Sequence, residues 1–296
     1  MPTVRAINRR IKSVKNISQV TRAMEMVAAS KMRRAQNATL ASRAYAEKSW
    51  EVISFLASQP GRSKLMHPLL ETREHIKNVA VVLISGDRGL CGAYNVNILR
   101  TALDFVSKQE KPAKFITIGK RGTSTVARMH KDLLAEFSGL SERPTILSVA
   151  PIAKIAIDEF LKGNVDEVYL AYTDFVNVLV QKPITRRLLP IHTDAVEQHE
   201  GAGAVYIYEP DPETILDSVL PRFTELQIYQ ALLESVASEW AARMVAMRNA
   251  TDNARELIDA FTLAMNKARQ ANITKEMLDI VGGAEALRAT LKAKAK

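Results

Sequence analysis

Apolar residues near the start of the chain recur at three- and four-residue steps: Val4, Ile7, Ile11, Val14, then Ile17, Val20, Met24 and Val27. That spacing returns to one side of a helix at every turn, so the segment predicts a helix with a narrow apolar stripe. From Thr3 to Gln59 there is neither Gly nor Pro, and Pro60-Gly61 then closes the run. A helix of that extent is about 85 Å long at 1.5 Å per residue. Thr3 is suited to cap it, because a threonine hydroxyl can accept one of the orphan N–H groups of the first turn.

The other end of the chain repeats the pattern. Asp211-Pro212 is a start signal, with Asp as cap and Pro at the first helical position. Beyond Pro221 the chain avoids Gly and Pro until Gly282-Gly283, and Val219, Phe223, Leu226, Leu233, Trp240, Met244, Met247, Thr251, Ala254, Ile258, Phe261, Met265 and Ala268 keep a 3-4 spacing. Neither helix can bury its stripe alone. The simplest solution pairs them as an antiparallel coiled coil, with Met24 opposite the Trp240–Thr251 stretch. Ala237, Ala241, Ala242, Ala246, Ala250 and Ala254 predict a thin seam that lets the backbones approach.

Between the helices the period changes. Val79–Ile84, Phe115–Ile118 and Val165–Tyr172 read as buried strands, and 95–107 and 152–161 read as helices. Val178–Val180, Ile184–Leu189 and Ala204–Tyr208 are candidate antiparallel edge strands, and 199–203 reads as a loop. Strand, glycine turn and helix in alternation argue a largely parallel α/β domain. The expected architecture is therefore a shaft of residues 1–60 and 211–296 with an inserted α/β head at 61–210.

Charge changes the picture only once it is located. The net charge is +9, and residues 1–46 carry ten basic side chains against the single acid Glu25; the other 31 basic and 31 acidic residues cancel. The excess belongs to the first helix and implies a partner with an acidic surface. No run reaches the roughly 18 to 20 apolar residues that span a bilayer, and the N-terminus lacks the apolar core of a secretory signal. With one cysteine, Cys91, an intramolecular disulfide is excluded.

Candidate chemistry is sparse. Gly86-Asp-Arg-Gly-Leu-Cys-Gly92 sits between a strand and a helix, where backbone N–H groups can hold an anion. It lacks the Gly-Lys-Ser/Thr ending of a phosphate loop and the Gly-x-Gly-x-x-Gly pattern, so a tight structural turn competes with an anion site, as it does for Gly119-Lys-Arg-Gly122. His67, His75, His130, His192 and His199 never pair at ligand spacing, and no metal site is expected. Cys91 has no neighbouring His and reads as a packed thiol. A nucleotide-binding α/β enzyme with helical arms and a basic nucleic-acid coiled coil remain rival readings; Arg9-Arg10-Ile-Lys12 and Lys31-Met-Arg33-Arg34 could track phosphates.

Three motifs carry a family resemblance. Thr21-Arg-Ala-Met-Glu-Met-Val-Ala-Ala-Ser-Lys-Met-Arg-Arg-Ala-Gln36 resembles the N-terminal signature of the gamma subunits of F-type ATP synthases. Ala241-Ala-Arg-Met-Val-Ala-Met-Arg-Asn-Ala-Thr-Asp-Asn253, continuing through Asn266–Glu276 to Ile280–Ala284, resembles the C-terminal one, and Asp87–Gly92 the turn of the family's head. The resemblance implies an antiparallel two-helix coiled coil with an inserted Rossmann-like α/β domain, serving as a rotor shaft without cofactor, metal or catalytic residues of its own. The implied partners are three alpha and three beta subunits, the epsilon subunit and the membrane c-ring, with no nucleic acid and no insertion into the bilayer. It places Met24, Arg33, Arg34 and Arg243 against acidic loops of the beta subunits. Arg269, Gln270 and Thr274 fall at upper contacts to the ring, and Tyr206, Tyr208 and Glu209 at the foot near epsilon and the c-ring. The implied location is the cytoplasmic face of a bacterial plasma membrane. A lone cysteine rules out the thiol regulation of the chloroplast members, and the segment past Leu287 reads as a frayed extension.

Overall fold

The computed structural model describes residues 3–58, 67–140, 144–191 and 212–294. Helix α1 spans Val4–Ser58 and helix α5 spans Pro212–Lys294, and between them lies a five-stranded sheet. Helix α5 starts at Pro212, as expected from a proline at the first helical position; the expected cap Asp211 lies outside the described residues. It runs straight through Gly282-Gly283, where a stop was expected, and on past Leu287. Glycine there lowers helix propensity without forbidding it.

The sheet contains β1 (Val79–Ile84), β2 (Ala113–Ile118), β3 (Asp132–Phe137), β4 (Glu167–Phe175) and β5 (Gln181–Leu189) in the order β3-β2-β1-β4-β5. The first four are parallel and β5 returns antiparallel along β4. Every residue of β1 is buried, the mark of a central strand covered on both faces. Val81 and Leu83 point toward α2 (Tyr94–Gln109) and α3 (Lys120–Arg128), where Ile98, Ala102, Val106 and Val126 close one core. Ala80, Val82 and Ile84 point the other way, into a core completed by α4 (Ile146–Leu161) and by Leu220, Ile228, Leu232 and Val236 of α5.

Besides a single 3-10 turn at Pro68–Leu70, two elements escaped the sequence reading. Helix α3 is short and polar around Gly122, and β3 is a half-exposed edge strand whose apolar run is only Leu133-Leu134-Ala135. Conversely, 178–180 belongs to the tip between β4 and β5 rather than to a strand, with Asn177 Oδ1 accepting from the N–H groups of Leu179 and Val180. The expected strand at 204–208 and loop at 199–203 lie outside the described residues.

The chain resolves into two compact units, 1–26 with 247–296 and 27–246. In the larger unit, α1 and α5 touch where Lys31 lies over the Trp240 ring and where the Ser42 hydroxyl meets Gln230 Oε1. These residue numbers add to 271 and 272; a constant sum is the register of an antiparallel pair. In the smaller unit the Thr21 and Thr251 hydroxyls bond at 2.8 Å, again adding to 272.

The seam of α5 there runs Met247, Thr251, Ala254, Ile258, Phe261, Met265 and Ala268, as its spacing indicated. On α1 the expected stripe holds through Val14 and then departs. The covered positions continue as Ser18, Thr21, Ala28, Met32, Ala35 and Thr39, while Ile17, Val20 and Val27 are exposed. Apart from Met32, small and hydroxylic residues form this stretch of seam, and the Thr21 hydroxyl reaches that of Thr251. Hydropathy alone therefore misplaced Ile17, Val20 and Val27, while Met24 of the same stripe is half-buried.

Candidate partner-contact site and the closed carboxyl edge

In a parallel sheet the place to look for a ligand is the carboxyl edge, at the point where strand order reverses. Here that point lies between β1 and β4, and α5 crosses it. The Ser235 hydroxyl accepts from Thr173 N at 3.3 Å and the Ser238 hydroxyl donates to Thr173 O at 3.2 Å. One turn on, the Glu239 carboxylate sits so close to Gly86 that a Cβ there would stand 3.1 Å from it. What remains among Ser85, Asp87, Tyr94, Gly119, Ser235 and Glu239 is a cavity of about 10 Å³, room for roughly one water.

The positions that could attract a phosphate hold carboxylates of the chain itself. Asp87 Oδ1 accepts from Lys120 N, at the amino end of α3, and its Oδ2 accepts from Gly139 N. Gly119 has a φ of +96°, and any Cβ on it would lie 2.1 Å from Ser85 O. Ser85 Oγ accepts from Gly122 N at 2.8 Å. Of the two readings of Gly119–Gly122, the structural turn is the one the geometry supports: its glycines serve close packing of β2 and α3 on the end of β1.

The Gly86–Gly92 segment is likewise a built turn. Asn95, 9 % exposed on α2, accepts from Gly86 N through Oδ1 and donates through Nδ2 to Arg88 O and Cys91 Sγ. Leu90 takes a left-handed φ of +60° and is exposed, while Cys91 turns inward. Burial pushes the Cys91 thiol up from its ordinary range, outweighing the nearby Arg243 cation, so the thiol is protonated and inert at neutral pH.

Arg243 ties this turn to α5. Its Nη2 donates to Glu239 Oε1 at 2.7 Å and to Gly89 O at 3.2 Å, and its guanidinium lies 4.5 Å from the Trp240 ring centroid. Both charged side chains are 6 % exposed. Burial raises the Glu239 carboxyl above its usual range, and the pull of Arg243 offsets this only partly.

The residues expected at partner contacts fall into four groups. Arg33 and Arg34 are exposed on α1, with Arg34 Nη2 donating to Ser30 Oγ at 3.3 Å. In the smaller unit Met24 is half-buried, and Arg269, Gln270 and Thr274 are exposed on α5, where every residue from 269 to 287 faces outward. Arg243, by contrast, is 5 % exposed and spends its charge inside the protein. Tyr206, Tyr208 and Glu209 lie outside the described residues. Glu239 was not singled out from sequence, because its role depends on a turn that lies more than a hundred residues earlier in the chain; Asp87 was read only as part of that turn, its bonds to Lys120 N and Gly139 N not being legible in sequence. No helix among the described residues is long and apolar enough to cross a membrane, and no group of His, Cys, Asp and Glu among them could hold a metal ion.

A family model described as ATP synthase matches residues 3–287. The chain is 50 % identical over 287 residues to the ATP synthase gamma chain of Dehalococcoides mccartyi strain 195, covering 97 % of this chain and all of that one. It is 49 % identical over 294 residues to that of Roseiflexus sp. strain RS-1, covering 97 % and 99 %. Among solved structures, a chain of the central stalk and c-ring of Tetrahymena thermophila mitochondrial ATP synthase matches with a TM-score of 0.59 at 27 % identity, covering 78 % and 99 %. A chain of the Euglena gracilis mitochondrial enzyme shares the fold, with a TM-score of 0.64 at 20 % identity, covering 97 % and 95 %. Two long helices bracketing a sheet whose ligand edge is closed, and identity near one half along almost the whole length, lead to one assignment: the chain belongs to the gamma-chain family of ATP synthase.

Proposed function

We propose that the chain is the central rotor shaft of an F-type ATP synthase, carrying torque between a membrane c-ring and a catalytic ring of three alpha and three beta subunits. Residues 1–60 and 211–296 act as the shaft and 61–210 as its head, which meets epsilon and the c-ring through Tyr206, Tyr208 and Glu209. The complex sits on the cytoplasmic face of a bacterial plasma membrane. The observation that carries this reading is the long antiparallel pairing of α1 and α5 in a gamma-family chain, since paired helices resist twisting where one helix would wind up.

The shaft performs no chemistry itself. Glu239 and Asp87 occupy the places a phosphate would take, so nucleotide turnover belongs to the ring subunits. An asymmetric shaft acts by contacting each beta subunit differently and shifting its conformational populations in turn. Arg33 and Arg34 on α1, with Met24, meet acidic loops; Arg269, Gln270 and Thr274 meet the ring farther along α5. Arg243 contributes by fixing the turn at Gly89.

The test is rotation. A particle attached through a cysteine introduced at exposed Lys108, in a complex assembled with the alpha and beta subunits, turns in one direction during ATP hydrolysis and pauses three times per revolution. Hydrolysis with no rotation of the particle overturns the assignment. Stoichiometric micromolar ATP binding to the isolated chain would instead favour the nucleotide-binding reading.

A further inference from the structure

Where the head meets the first turns of α5, a histidine turns its two ring nitrogens toward different elements. His67 Nδ1 accepts from Leu69 N at 3.1 Å and so caps the 3-10 turn at Pro68–Leu70. Its Nε2 stands 3.2 Å from Asp217 Oδ1 on α5; the His67 side chain is 13 % exposed and that of Asp217 74 %. Because Nδ1 accepts a bond, the neutral ring carries its proton on Nε2, on the side of Asp217. Leu69 is buried in the same core as Leu216 and Leu220 of α5. Its carbonyl accepts from Ile191 N at 3.0 Å, where the chain leaves β5. Leu70 N donates to His67 O and Glu71 N to Pro68 O, which completes the turn.

We propose that His67 is an acid-sensitive clasp: neutral, it holds the Pro68–Leu70 turn and the end of β5 closed beside α5, and protonated, it releases both. A second proton on the ring must sit on Nδ1, where it meets the Leu69 N–H. Two donors cannot bond, and the buried Leu69 N–H is then left without an acceptor. Burial lowers the His67 pKa below its ordinary 6.5, and the Asp217 carboxylate, mostly in water, offsets this only partly. Among the described residues no other charged group acts on the ring, although α4 packs against the same turn. A value in the closed turn below that of the open one keeps the clasp shut above about pH 6.5 and loosens it as pH falls through the lower value. The device belongs to the chain itself and needs no partner subunit.

The test is amide exchange in the full chain, followed by NMR together with the His67 Cε1–H shift. Each protection factor is referred to the intrinsic exchange rate at the same pH. Between pH 7.5 and 5, protection of Leu69 and Ile191 is expected to fall at least about five-fold while the amides of β1 keep theirs. His67 itself titrates below 6.5. His67→Asn places an amide oxygen near the position of Nδ1; asparagine caps a turn without titrating, so Leu69 protection stays flat over this range. Asp217→Asn removes the attraction that raises the ring's pKa and moves the opening to lower pH. Being exposed, that variant keeps the test valid if His67→Asn fails to fold. A His67 that titrates at or above 6.5 overturns the proposal. So does Leu69 protection that is flat in the parent, that still falls in His67→Asn, or that falls in step with β1.

Discussion

Arg243 and Glu239 bury opposite charges one helical turn apart, and the pair has an asymmetric energetics. Removing Arg243 strands a desolvated carboxylate and unties Gly89 O, so Arg243→Ala is expected to cost about 3–5 kcal/mol in denaturant unfolding. Glu239→Gln retains a hydrogen-bond partner for the guanidinium and relieves the carboxylate's desolvation, so it should cost clearly less; equal losses would mean that the ion pair is not what holds the turn. At the opposite edge of the sheet, burial would raise Asp166, 8 % exposed, but hydrogen bonds from Asn78 N, the Arg73 guanidinium and Lys77 N outweigh it and hold its carboxyl below the ordinary value. A depressed folded-state pKa gives stability that is present above the unfolded value near 4 and is lost as pH falls through the lower folded one. Asp166→Asn should therefore flatten the acid limb of a stability–pH profile relative to the parent while lowering stability at pH 7. The family resemblance picked out Arg243 as part of a motif but not its burial. Burial requires Gly89 to arrive from 154 residues away.

Among the elements, β1, β2, β4, β5 and both long helices were legible because continuous apolar runs and 3-4 spacing are local signals. Helix α3 and β3 were not, since a polar nine-residue helix and a half-exposed edge strand are held by neighbours rather than by their own pattern. The stripe on α1 shows the same limit: at a close helix–helix contact Ser18, Thr21 and Ala28 are the better seam residues than Ile17, Val20 and Val27. Helix α5 exceeded expectation at Gly282-Gly283, where an added Cβ would meet nothing within 4 Å. Gly282→Ala and Gly283→Ala should each favour the local helix by about 0.5–1 kcal/mol, read as slower amide exchange over the last turns. Unchanged or faster exchange would show that the segment is not helical in solution.

For the whole molecule, the charge of +9 concentrated in residues 1–46 is the feature that sequence alone located and that exposed Arg33 and Arg34 bear on α1. Reversing both (Arg33→Glu with Arg34→Glu) should leave the melting temperature of the isolated chain within a few degrees of the parent and lower ATP-driven ion pumping by the complex more than its hydrolysis. A complex that couples normally would remove these two residues from the torque path. The seam has one further consequence, which is mechanical. In the smaller unit α1 begins at Val4, and the register set by Thr21 and Thr251 puts Ala268 opposite it; from 269 to 287 every residue of α5 is exposed. Twist applied along this helix is shared with α1 as far as Ala268. Elastic strain will therefore gather in the exposed stretch beyond, which acts as the soft spring in series with a stiffer bar.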